Sequence, residues 1–71
     1  MNIEKEKPAY VDVIRSLMAE YQLSQEKFAV RIGVNQTTVS QWLLGNKKPG
    51  YDNILAICTC FGITPNEFFG L

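Results

Sequence analysis

An all-α fold of five short helices follows from three features of the 71-residue sequence. Apolar residues recur at helical spacing, and no stretch alternates with period two for long enough to make a strand. Capping residues and glycines punctuate the chain at helix-length intervals. Within residues 25–44, Ala29, Gly33 and Val39 fall at the fifth, ninth and fifteenth places. This spacing suits two helices that cross steeply through a tight turn. Ala29 is small at their closest approach, Gly33 tolerates a positive φ in the turn, and Val39 is the first inward residue of the second helix.

The first helix runs to about Tyr21 with Pro8 at or near its first turn, and Ile14, Leu17, Met18 and Tyr21 form its apolar face. Ser24 caps the second, Gln25 to Ile32, where Glu26 meets the positive end of the helix dipole and Gly33 ends the helix. Asn35 caps the third, roughly Gln36 to Leu44, and Gly45 closes it. Gly45-Asn46-Lys47-Lys48-Pro49-Gly50 reads as a loop. A fourth helix spans about Asp52 to Phe61, with Ile54, Ile57, Cys58 and Phe61 on one stripe and Gly62 as its stop. Thr64-Pro65-Asn66-Glu67 carries a capping-box signature with Pro65 at the first helical position, and a last short turn, Glu67 to Phe69, returns its aromatics to the core.

Size and composition limit what such a chain does. At 71 residues it is expected to be a single domain over 8–71 behind a flexible segment 1–7, close to the lower size at which one core holds without staples. The composition, 46% hydrophobic and 20% charged, is that of a globular domain. No apolar run is long enough for a membrane span, and the charged N-terminus does not read as a signal peptide, so a cytoplasmic location is expected. Cys58 and Cys60 lie roughly 200° apart on a helix, which excludes a shared disulfide or metal. With no histidine in the chain, no metal and no cofactor are expected, and Cys58 is expected to be buried. The chain has no phosphate-cradling glycine loop, no nucleophile elbow and no carboxylate pair in an apolar pocket, so it is not expected to be an enzyme.

The formal net charge is zero, but the distribution is uneven. Lys27, Arg31, Lys47 and Lys48 fall between residues 27 and 48, where there is no acid. On a helical wheel Val39, Trp42 and Leu43 share the inner side of the third helix, with Asn35 and Thr38 at its edge. Gln36, Thr37, Ser40, Gln41 and Leu44 face outward. Such a polar face serves equally as an ordinary solvated surface. A glutamine amide, however, offers the donor and acceptor that match adenine in a DNA major groove, and Thr37 offers a hydroxyl or a methyl. The turn spacing and the basic loop favour a reading head over a solvated face.

Residues 10–69 resemble the lambda-repressor-like helix-turn-helix family, the Cro and phage-repressor type. The matching text is Leu23-Ser24-Gln25-Glu26-Lys27-Phe28-Ala29, Ile32-Gly33-Val34, Thr38-Val39-Ser40-Gln41-Trp42 and Gly45-Asn46-Lys47-Lys48-Pro49. The resemblance implies a compact five-helix bundle that sets its second motif helix in the major groove of double-stranded DNA. It implies base reading by Gln36, Thr37, Ser40 and Gln41. Ser24, Gln25, Asn35, Asn46, Lys47 and Lys48 then lie along the phosphate backbone, with Gln25 also buttressing Gln36. A homodimer on an inverted-repeat operator is the expected assembly. Phe68, Phe69 and Leu71 are candidates for its interface or for core packing.

Two positions depart from the family pattern. Leu43 and Leu44 stand where many members carry a glutamate and a polar or basic phosphate contact. Leu43 joins the core in this reading. Leu44 is open to three readings: a thymine-methyl contact, a subunit interface, or a weaker grip on DNA. It also motivates the rival reading, a protein-interaction module on the same scaffold.

Overall fold

Local signals set nearly every helix boundary between residues 8 and 71, the part of the chain that the computed structural model describes. The expected flexible segment 1–7 lies outside the described residues. The helices are α1 (Ala9–Glu20), α2 (Gln25–Ile32), α3 (Gln36–Leu44), α4 (Tyr51–Phe61) and α5 (Pro65–Phe69). Pro8 is the N-cap of α1, where a missing N–H costs nothing. The Ser24 hydroxyl accepts from the Lys27 N–H at 3.1 Å, satisfying one of the orphan donors of α2. At α5 the box is reciprocal: Thr64 Oγ1 accepts from the Glu67 N–H at 3.1 Å, and Glu67 Oε1 accepts from the Thr64 N–H at 2.8 Å.

Two details differ from the sequence expectation. The fourth helix starts one residue early, at Tyr51, because Gly50 takes the extended N-cap conformation. Asn35 occupies the N-cap of α3 without a side-chain cap bond, and its backbone carbonyl accepts from the Thr38 and Val39 N–H groups.

Gly33 turns the chain from α2 to α3 at φ 79°. Its N–H returns to the Val30 carbonyl at 3.2 Å, and that of Val34 to the Ala29 carbonyl at 3.0 Å. This paired bonding satisfies the last carbonyls of α2 and requires a left-handed residue, which costs any residue with a Cβ about 1–2 kcal/mol. Gly45 ends α3 in the same way, with the Gly45 N–H on the Trp42 carbonyl and that of Asn46 on the Gln41 carbonyl, both at 3.0 Å.

All five helices supply the core. Phe28, Val39, Trp42, Ile57 and Phe68 are fully buried, and Phe28 stacks on Phe61 with ring centroids 5.2 Å apart. Burying one such aromatic or aliphatic side chain contributes about 1.5–3 kcal/mol before conformational entropy is subtracted. Leu43 is buried, as its inward place on the wheel requires. Tyr10 and Val11 are also buried, so the apolar face of α1 begins one turn before the stripe read from the sequence. Tyr21 stays 40% exposed, resting edge-on against Phe61 at 5.0 Å. Phe68 is entirely in the core, whereas Phe69 and Leu71 face outward. No helix among the described residues is long and apolar enough to cross a membrane.

The two thiols have opposite surroundings. Cys58 is buried, and burial, followed by the nearby Glu67 charge, pushes its thiol above the ordinary value; Cys60 is exposed. One thiol of the native protein should therefore react rapidly with an aromatic disulfide reagent and the other only upon unfolding. Two equally fast thiols at neutral pH would contradict this packing.

Candidate nucleic-acid interface

Three buried anchors, Val39, Trp42 and Leu43, fix the rotation of α3 about its axis. The opposite side is thereby presented outward. Gln36 and Thr37 are exposed at its N-terminal turn, and Leu44 is 59% exposed at its end. Ser40 and Gln41, placed on the same outward face by the wheel, are half-buried, and each makes a side-chain hydrogen bond.

Ser40 Oγ donates to Gln25 Oε1 at 2.5 Å and so ties α3 to the first turn of α2. Gln25 thus engages Ser40, one turn beyond the Gln36 that the family resemblance suggested as its partner. The Nε2 group of Gln25 remains a donor. Asn46 Nδ2 donates to Gln41 Oε1 at 3.2 Å and links α3 to the loop that follows it. Among the described residues, no side-chain hydrogen bond occupies Gln36 or Thr37. Ser24 and Asn35 sit at the N-termini of α2 and α3, where backbone N–H groups favour an anion.

The basic loop is anchored to the first turn of α1. The Tyr10 hydroxyl donates to the Lys47 carbonyl at 3.0 Å, and the Tyr10 ring stacks near Phe68 with centroids 6.4 Å apart. Pro49 is buried, while Asn46, Lys47 and Lys48 are exposed. Tyr10 is the positioning residue that the sequence did not disclose, since its partner lies 37 residues away.

The four cations counted along the sequence separate in space. The Arg31 guanidinium lies 5.8 Å from the Tyr21 ring centroid and 5.7 Å from that of Phe61, which holds its charge beside α1 and α4. Lys47 and Lys48 stay together on the loop, and Lys27 is exposed in the first turn of α2. An open depression of about 510 Å³ runs along the outer side of α2, lined by Leu23, Glu26, Lys27, Val30 and Arg31. It shares none of these residues with the outward face of α3.

The profile of the helix-turn-helix family matches residues 14–68, which is more than half of the chain and includes both helices of the motif. A search of curated proteins finds no match.

The Ser40–Gln25 bond has an energetic signature. A double-mutant cycle of Gln25→Ala and Ser40→Ala, read by urea unfolding, should show a coupling of about 1 kcal/mol between the two sites. Strict additivity would mean that the two side chains do not stabilise one another.

Proposed function

Because the chain belongs to the lambda-repressor-like helix-turn-helix family, whose members are DNA-binding regulators, we propose that it is a sequence-specific regulator of transcription that sets α3 in the major groove of duplex DNA. The observation that carries this reading is the exposed Gln36–Thr37 pair at the head of a helix whose opposite side is locked in the core. Gln36 keeps both donor and acceptor, the combination that adenine N6 and N7 match. Thr37 reads the neighbouring base by hydroxyl or methyl. Ser40, held by Gln25, and Gln41, held by Asn46, support the second turn on the bases. Ser24, Gln25, Asn35, Asn46, Lys47 and Lys48 follow the phosphates. The family is not an enzyme family, and the face described here offers hydrogen-bonding groups without a nucleophile and base.

One copy places few side chains on bases, so selectivity comes from two copies on an inverted repeat with half-sites about one helical turn apart. Phe69, 46% exposed, and Leu71, 90% exposed, supply apolar surface for that pairing. Sedimentation of a Leu71→Asp variant should show a weakened dimer. A dimer of unchanged affinity would remove Leu71 from the interface.

Selection from a random duplex pool at low salt tests the reading directly, with enrichment of an inverted repeat as the expected result. On the enriched site, Gln36→Ala should cost about 1–3 kcal/mol and relax the preference at a single base pair of each half-site. Lys47→Ala should weaken all duplexes alike and reduce the logarithmic salt slope by about one unit between about 50 and 200 mM salt. If native protein enriches nothing and retains no duplex, DNA reading by this face is excluded, and the exposed Leu44 becomes the first residue to test in a protein-docking surface.

A further inference from the structure

Asn46 meets Gln41 twice. Its backbone N–H donates to the Gln41 carbonyl at 3.0 Å, and its side-chain Nδ2 donates to Gln41 Oε1 at 3.2 Å. The backbone bond belongs to the left-handed stop at Gly45, so Asn46 is fixed relative to α3 by the same turn that ends the helix. A carboxamide is planar, and its oxygen and nitrogen leave the carbon in different directions. Directing Oε1 at the Asn46 amide therefore leaves the Nε2 group turned away from that amide.

We propose that Asn46 sets the base preference of the second turn of α3 by holding the Gln41 amide in one of its two orientations. The inference rests on the DNA-reading function proposed above. In this orientation Gln41 presents a hydrogen-bond donor. A donor suits the acceptor edges of guanine, O6 and N7, or of thymine, O4, and is mismatched to the N4 amino group of cytosine. It also lacks the outward acceptor required for the two-bond adenine contact that remains open to Gln36. The two glutamines of α3 therefore do different work despite their identical side chains. Asn46 keeps a second Nδ2 hydrogen for a neighbouring phosphate, so the same residue serves both the base-reading helix and the backbone-following loop.

Asn46→Asp provides the test, because a carboxylate only accepts. It would draw Gln41 Nε2 toward the loop and turn Oε1 outward. Selection from random duplex DNA by the native chain, Asn46→Asp and Asn46→Ala would compare preferences position by position. The aspartate variant should exchange guanine or thymine for adenine or cytosine at one base pair of each half-site, with relative enrichment changing about tenfold. The alanine variant should broaden the preference at that pair alone. A uniform loss of affinity with an unchanged pattern would reduce Asn46 to a phosphate contact and overturn the proposal. A second readout needs no DNA: the Gln41 side-chain NH₂ protons should exchange with water more slowly in Asn46→Asp than in the native chain. Equal exchange with the helical fold retained would overturn the latch itself. Slower exchange combined with no enrichment by the native chain would locate the failure in the DNA-reading function, and the base-preference inference would fall with it.

Discussion

The left-handed turn at Gly33 governs the geometry of the rest of the molecule. Its two backbone bonds direct the chain out of α2 at the angle at which α2 packs against α3, with Ala29 buried in the core. Val39, Trp42 and Leu43 then have no choice of side, since only one rotation of α3 buries all three. The polar face is consequently a by-product of core packing. A residue with a Cβ at Gly33 meets no atom within 4 Å, so its penalty would be conformational rather than steric.

Backbone geometry was far more legible in the sequence than side-chain pairing. Gln25–Ile32 and Gln36–Leu44 match the expected spans because Ser24, Gly33, Asn35 and Gly45 act through the few residues beside them. The start of α4 was less legible, because Gly50 carries no side chain to mark it as a cap. The candidate site was readable as a face and unreadable as a network. Nothing local distinguishes a free glutamine such as Gln36 from Gln41, whose oxygen is occupied by Asn46. Arg31 shows the same limit, since its aromatic neighbours Tyr21 and Phe61 come from the C-cap of α1 and from α4.

A formal net charge of zero is compatible with an anion-facing surface once the positions are known. Lys47 and Lys48 project from a loop whose sequence neighbourhood contains no acid between residues 27 and 48. Arg31 is taken up by the Tyr21–Phe61 pair, where it contributes to packing between helices. The effective positive charge near α3 is therefore smaller and more localised than the count along the chain. Contacts of this kind steer a polyanion over a short range, because charges beyond about 8–10 Å are screened at physiological salt.

The bond from the Tyr10 hydroxyl to the Lys47 carbonyl also bears on the entropy of association. A loop of glycine, asparagine and lysine would ordinarily sample many backbone states, and a partner that fixed it would oppose that freedom at the moment of contact. Here the backbone of the loop is ordered during folding, by a tyrosine seated against Phe68 in the core. A docking partner meets a preorganised backbone and restrains only the lysine side chains, so less of the interaction free energy is lost to ordering.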